Sequence, residues 1–120
     1  MTDTPLHIKP ATGIIPQAIV VSHGQPSDPD IAEVELAHLA QNVGAHLMGW
    51  TVHSATLAAP NALETALQKA GQRPLIYPLF MTDGWFTQSA LPNRIHAPDA
   101  QILPPLGVDP SLLDLAQTWL

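Results

Sequence analysis

The sequence predicts an α/β fold with a four-stranded parallel sheet in the order 2-1-3-4 and helices packed on it. Short apolar runs alternate along the chain with longer segments of helical periodicity. In addition, Asp28-Pro29 and Asp109-Pro110 mark two helix starts, because aspartate is a favoured N-cap and proline suits the first helical position. Strand–helix alternation of this kind is typical of parallel sheets with right-handed crossovers.

The first half of the chain predicts two strands joined by a helix. Residues 17–22 (QAIVVS) are a short, branched apolar run and form the first strand. The first helix begins at Pro29 and ends near Gly49, and residues 50–58 form the second strand. The residues predicted to face inward from the helix are Ile31, Val34, His38, Val43 and Leu47.

The second half predicts a helix and two further strands. The second helix begins at Pro60 and is closed by Gly71. Residues 74–80 (PLIYPLF) form the third strand, with Pro78 at its end because proline donates nothing to a strand ladder. Residues 101–104 form a short fourth strand. The inward-facing residues of the second helix are Leu63, Ala66, Leu67 and Ala70.

The two ends of the chain differ in character. Residues 1–16 carry three prolines and no periodicity, which predicts an extended N-terminal arm. Residues 17–120 form a single predicted domain. It closes with a helix after Asp109-Pro110, whose apolar stripe is Leu112, Leu115, Ala116 and Trp119.

Composition narrows the function. Ten acidic residues against four basic ones give a net charge of −6, which argues against nucleic-acid binding. No apolar run approaches the roughly 18 residues of a membrane span, and nothing in the sequence directs export, so we expect a cytoplasmic protein. The absence of cysteine excludes thiolate catalysis and cysteine-ligated metal. The six histidines are therefore the main candidates for proton transfer and metal binding.

His23 is the strongest site candidate on position alone. It follows the first predicted strand, and residues 81–92 follow the third. In the order 2-1-3-4 these strands are neighbours, so both segments leave the same edge of the sheet. Open parallel sheets bind ligands at the carboxyl ends of strands where the strand order reverses.

Four segments in a fixed order carry a family resemblance. VVSHGQPSD, LAAPNALETAL, PLFMTDGWFTQSALP and PPLGVDPSLLDL resemble the small CbiX-type sirohydrochlorin chelatases of the class II chelatase family, over residues 17–120. The resemblance implies a chelatase-like fold and a homodimer. It also implies insertion of a divalent metal, with cobalt preferred over nickel or iron, into a tetrapyrrole of cobalamin or siroheme biosynthesis. The metal is then a substrate, and no organic cofactor is expected.

The resemblance assigns site residues and also shows departures. The family's first histidine falls on His23, which implies a catalytic and metal-binding role. The position of the second histidine is occupied by Phe86, and that of an aspartate four residues later by Ala90. In a looser alignment, a glutamate late in the second strand falls on Thr56.

Four residues are candidates for substrate binding. Asp83 could supply a carboxylate, although aspartate is also a common turn residue before glycine. Trp85 and Phe86 could stack on a flat macrocycle, contact a second copy or pack in the core. Arg94 could meet the carboxylates of a tetrapyrrole.

These residues leave two hypotheses open. The first is a chelatase, active as a homodimer that buries apolar surface near the site loops, including Trp85. Stable divalent-metal sites generally assemble three or four protein ligands, which a single imidazole does not supply. The second hypothesis is therefore a non-catalytic tetrapyrrole- or metal-binding protein, or an accessory partner of a true chelatase. A histidine phosphatase is rejected, because Ser22 stands where such enzymes carry an arginine and the chain has only two arginines.

Overall fold

The sheet has the predicted strand order. The computed structural model describes residues 15–80, 84, 86–95 and 99–106, and of Phe86 only the backbone. The four strands are all parallel and lie side by side in the order β2-β1-β3-β4. Their bounds are β1 (Gln17–Ser22), β2 (Thr51–Thr56), β3 (Leu75–Pro78) and β4 (Gln101–Ile102).

The helices agree with the predicted alternation and add one short element. The two long helices are α1 (Pro29–His46) and α2 (Ala62–Ala70). Within the segment 81–92, for which the sequence predicted no helix, a π-helical turn at Phe86–Ala90 runs into α3 (Leu91–Arg94). The predicted closing helix after Asp109-Pro110 lies outside the described residues, as does the arm up to residue 14. Among the helices described, none combines the length and apolar character needed to cross a membrane.

The core lies on both faces of the sheet. On one face, Ile19 and Val21 of β1 pack with Leu63 of α2 and Leu91 of α3, and all four are fully buried. On the other face, Val20 packs with the buried side of α1. The apolar run in β1 is continuous because each of its faces is covered by a helix. This pattern is the physical reason that the sequence signal for β1 was strong.

The buried face of α1 differs from the prediction. Its buried residues are Leu36 and Ala40, whereas Ile31 and Val34 are 59% and 55% exposed and His38 is exposed. Successive helical residues turn by about 100°, which places these three residues on the side opposite the core. Only Val43 and Leu47 of the predicted face are half-buried. Because α1 carries apolar residues on both sides, periodicity alone selected the wrong face.

Pro78 ends β3, as predicted. Its neighbour Leu79 donates its backbone N–H to the carbonyl of Val21 across 2.7 Å, so pairing with β1 continues past the proline. The nitrogen of Pro78 faces the β4 side, where the last paired residues of the described sheet are Ile76 and Ile102. The proline therefore removes no hydrogen bond from the described ladder.

The carboxyl ends of β1 and β2 are joined beyond their last paired residues. Leu57 donates to the carbonyl of Ser22 and Ala58 to that of His23, both at 2.9 Å. Gly24 then turns away with a φ of +74°, and a Cβ placed on it would lie 2.7 Å from Cβ of Thr56. Only glycine combines this backbone conformation with so close an approach.

His53 lies half-buried on β2, one of the two edge strands of the described sheet. Its Nε2–H donates to Oε1 of Gln17 at 2.7 Å, and the amide nitrogen of Gln17 donates to the carbonyl of Ile15 at 3.3 Å. Burial lowers the pKa of His53, and the positive charge of Lys69 lowers it further. Both effects favour the neutral form of His53 in the folded protein.

We expect Gly24→Ala to lower the free energy of unfolding by about 2–4 kcal/mol, because it adds left-handed backbone strain to a steric overlap with Thr56. Gly49→Ala is the matched control, since Gly49 has a φ of +85° but nothing within 4 Å of an added Cβ. The control should lose only about 1 kcal/mol. Urea unfolding of both variants measures the difference, and equal losses would contradict the close contact.

We expect the stability of the protein to depend on pH through His53. In the folded protein the pKa of His53 lies below the ordinary value of about 6.5. The contribution of His53 to the free energy of unfolding is therefore complete above that pH and is lost as the pH falls toward the pKa of the folded state. Over that range the unfolded chain takes up a proton that the folded chain resists. Unfolding free energies at pH 8, 6 and 5 should fall less in His53→Gln than in the unchanged protein. His46→Gln, at an exposed position on α1, controls for the loss of an imidazole, and an identical slope in all three proteins would refute the prediction.

Candidate functional site

His23 lies at the carboxyl end of β1, where sequence reasoning placed it. Its side chain is exposed, and its ring stacks on that of Phe80 with the centroids 4.2 Å apart and the planes inclined by 12°. Phe80 is 5% exposed and follows β3. The stack therefore joins the ends of the two neighbouring strands, with the imidazole on the solvent side and a buried ring beneath it.

At this position the connections that follow two adjacent strands, β1 and β3, leave toward opposite faces of the sheet. The connection after β1 leads to α1 on one face of the sheet, whereas the segment after β3 leads to Leu91, which is buried on the other face. The two connections diverge from adjacent strands, and the space between them is the position at which open parallel sheets bind ligands. His23 and Phe80 border it.

The segment after β3 holds the other site candidates from the sequence. Asp83 and Trp85 lie outside the described residues, and Phe86 begins the π-helical turn. Two hydrogen bonds to the carbonyl of Gly84 hold this turn. Thr87 Oγ1 donates at 3.2 Å and the N–H of Gln88 donates at 2.9 Å. The substrate-binding roles assigned to Asp83, Trp85 and Phe86 stay predictions.

Arg94 has protein partners of its own. Its Nη1 donates to the carbonyl of Leu57 at 3.2 Å, and its Nη2 forms an ion pair with Glu64 at 3.3 Å. These contacts tie α3 to the start of α2 and to the end of β2. The ion pair is partly exposed, so it contributes little to stability, and a carboxylate ligand would compete with Glu64 for the guanidinium. Substrate binding by Arg94 stays a prediction.

A carboxylate that the sequence did not single out lies beside the His23 loop. Glu33, in the second turn of α1, places Oε2 at 3.0 Å from the backbone nitrogen of Thr56 and 2.5 Å from its Oγ1. Thr56 is fully buried and also accepts a hydrogen bond from the N–H of Ala59 at 3.2 Å. At the position where the resemblance would place a glutamate, the strand thus carries a threonine that binds a glutamate from the helix.

Glu33 and Phe80 were missed for different reasons. Glu33 stands in an acidic, otherwise ordinary helical segment, and its partner is 23 residues away in the chain. Phe80 was assigned to the predicted third strand, and only its place as the last residue before the 81–92 segment pointed to the site. Neither pairing is visible without the register of the sheet.

A separate cavity of about 520 Å³ runs along the free edge of β2, and we call it the β2 groove. His53, Ser54 and Lys69 line it together with residues of α1 and of the start of α2. His23 and Phe80 are not part of its lining, so the groove is distinct from the space at the carboxyl ends of β1 and β3.

The remaining described histidines lie away from His23 in the fold. His38 and His46 are exposed on α1, and His53 is bound to Gln17. In the part of the chain that the structure describes, no group of three or more His, Asp or Glu side chains is arranged to hold a metal ion.

Comparisons with known proteins agree with this architecture. The family model of CbiX matches residues 17–119. A solved structure of CbiX, the terminal enzyme of siroheme biosynthesis in denitrifying bacteria, is similar with a TM-score of 0.75 and 43% identity. The match covers 86% of this chain and 45% of that one, so this chain spans less than half the length of that CbiX.

A second solved structure shows the fold at lower identity. It is described as a CbiX protein of cobalamin (vitamin B12) biosynthesis from Marinobacter aquaeolei VT8, with a TM-score of 0.65 and 20% identity. The match covers 86% of this chain and 92% of that one. A search of curated proteins gave no match. On the family match over residues 17–119 and the 43% identity, the chain belongs to the CbiX family of class II chelatases.

Proposed function

We propose that this chain is a metal chelatase of tetrapyrrole biosynthesis that inserts a divalent metal, cobalt in preference to nickel or iron, into sirohydrochlorin. The observation that carries the proposal is the combination of CbiX family membership with an exposed His23 at the carboxyl end of β1. The two similar structures are described as proteins of siroheme and of cobalamin biosynthesis, which are the two routes to which we assign the reaction. The proposed location is the cytoplasm.

Metal insertion requires a side chain that can bind a metal ion or accept a proton, and the imidazole of His23 is such a group. Insertion replaces two pyrrole N–H protons by one divalent ion, so two protons must leave the macrocycle for every metal that enters. A neutral imidazole can hold the ion through one nitrogen or accept one of these protons, and its exposure lets a proton pass on to water. An ion that must be handed over is held more usefully by few ligands than by a closed site.

The stacked ring beneath His23 supports this role. Phe80 is buried, so it provides a fixed apolar floor that restricts the orientation of the imidazole. A catalytic group that is already oriented does not lose rotational freedom when substrate binds. The proposed roles of Asp83, Trp85, Phe86 and Arg94 in holding the tetrapyrrole rest on their place in the segment that follows β3.

The second candidate function is binding without turnover. Phe86 stands at the position of the family's second histidine, and this substitution favours a tetrapyrrole- or metal-binding protein or an accessory partner of a true chelatase. The two candidates make different spectral predictions. A binding protein shifts the absorption of sirohydrochlorin without converting it to the metal complex.

We expect the purified protein to accelerate cobalt insertion into sirohydrochlorin above the uncatalysed rate, and His23→Ala to reduce the catalysed rate by roughly a hundredfold. The visible spectrum follows the conversion of the free macrocycle to its cobalt complex. His46→Ala is the control, because His46 is an exposed histidine at the other end of α1. Full activity in His23→Ala would remove His23 from the mechanism, and a spectral shift without conversion in the unchanged protein would favour the binding function.

We also propose that the active form is a homodimer. The similar CbiX chain is more than twice as long as the part that this chain matches, which leaves room in it for a second unit of the same size. In this chain, Ile31 and Val34 form an exposed apolar strip on α1, one helical turn from the loop that carries His23. A second copy covering this strip would bury apolar surface next to the site.

We expect light scattering at micromolar concentration to report twice the mass of one chain. Ile31→Glu should shift the protein toward the monomer, because it places a charge in the middle of the proposed apolar contact. Met48→Glu is the matched control, since Met48 is 91% exposed and lies beyond the opposite end of α1. A strict monomer, or equal effects of both variants, would refute an interface at this strip.

A further inference from the structure

The hydroxyl of Thr56 is a junction between three parts of the fold. It donates to the carboxylate of Glu33 on α1, and it accepts from the N–H of Ala59 in the connection to α2. The backbone N–H of Thr56, which points away from β1, donates to the same carboxylate oxygen. Because Thr56 is fully buried, its outward-facing N–H would have lost its hydrogen bond to water on folding. The carboxylate of Glu33 replaces that hydrogen bond.

Thr56 is also the surface against which the His23 loop rests. A Cβ on Gly24 would lie 2.7 Å from Cβ of Thr56 and 3.0 Å from its Oγ1, so the backbone of the loop touches this side chain directly. The carbonyl of His23 is held at 2.9 Å by the N–H of Ala58, two residues beyond Thr56. A movement of Thr56 therefore moves the backbone that directly follows the His23 Cα atom.

The position of the imidazole depends on that backbone. The ring of His23 lies 4.2 Å from that of Phe80 in a nearly parallel stack, and Phe80 is fixed because it is buried after β3. Ring stacking has a narrow distance range, so a small shift of the His23 backbone changes the overlap of the two rings. The chain of contacts runs from Glu33 through Thr56 and Gly24 to His23.

We propose that Glu33 and Thr56 are positioning residues for His23, with the Glu33 carboxylate holding the Thr56 hydroxyl and through it the orientation of the imidazole over Phe80. This inference rests on the proposed function only where it concerns the rate of metal insertion. The orientation of the ring itself is a property of the protein without substrate.

The test is the NMR spectrum of the protein alone. The carbon-bound ring protons of His23, identified with His23→Ala, are shifted by the ring current of Phe80, and Phe80→Leu gives their unstacked reference position. Glu33→Ala and Thr56→Val should each move the signals most of the way to that reference. Thr56→Ser keeps the hydroxyl and should leave them in place. Glu35→Ala, an exposed glutamate on the same helix, is the control and should leave them unchanged.

Coupling between the two residues is the second readout. In the double variant Glu33→Ala, Thr56→Val, the shift should equal that of either single variant, because both changes break one chain of contacts. Additive shifts, or stacked signals in folded Thr56→Val, would overturn the proposal. If Glu33→Ala does not fold, Glu33→Leu takes its place, since it fills a similar volume and has no oxygen to accept from Thr56, and an unchanged signal in it together with Thr56→Val would be equally decisive.

The insertion assay separates this inference from the proposed function. If the protein inserts cobalt, Thr56→Val should lower the rate roughly ten- to a hundredfold and Thr56→Ser should restore it, because a small misplacement of a reacting group has effects of that size. If no protein inserts metal while the NMR signals move as expected, the proposed function fails and the positioning role stands. If the insertion rate falls in Thr56→Val while the signals stay stacked, the positioning role fails.

Discussion

The structure depends on the position of β1 between β2 and β3, with all three strands parallel. This arrangement brings three strand ends to one edge of the sheet and sends the connections after β1 and β3 to opposite faces. It places His23 next to Phe80 although they are 57 positions apart in the chain. It also brings Thr56 beneath Gly24. A strand added at either side would leave these contacts in place, whereas a one-residue slip of β1 would turn His23 toward the other face.

The sequence predicted the frame of the fold well because the signals for it are local. The run in β1 is apolar on both faces, and the proline at the start of α1 and the glycine after α2 mark helix ends without any knowledge of the sheet. The alternation of elements and the handedness of crossovers predicted a parallel sheet. The catalytic candidate His23 came from the same reasoning, since its place after a strand end is also a local feature.

The parts that the sequence did not predict depend on contacts between distant residues. The buried face of α1 could not be chosen, because Ile31 and Val34 on one side compete with Leu36 and Ala40 on the other. The ion pair between Arg94 and Glu64 and the contact between Glu33 and Thr56 join side chains that no periodicity relates. In the sequence, Thr56 looks like the loss of a carboxylate from the second strand. In the structure, Glu33 of α1 brings a carboxylate to Thr56.

Pro78 bears on how the protein can associate. A strand paired with β3 beyond Ile102 would meet Pro78, which has no N–H to donate, so pairing on the β4 side of β3 stops just below the carboxyl edge. At the outer edge of β2, the backbone groups of Val52 and Ser54 face away from β1. The outward-facing N–H of Thr56 already donates to Glu33. Backbone pairing is thus blocked at Pro78 by covalent structure and at Thr56 by a side chain, both at the level of the site. A strand added along β2 would therefore pair with Val52 and Ser54, away from the carboxyl end of the strand, and would leave the space around His23 uncovered.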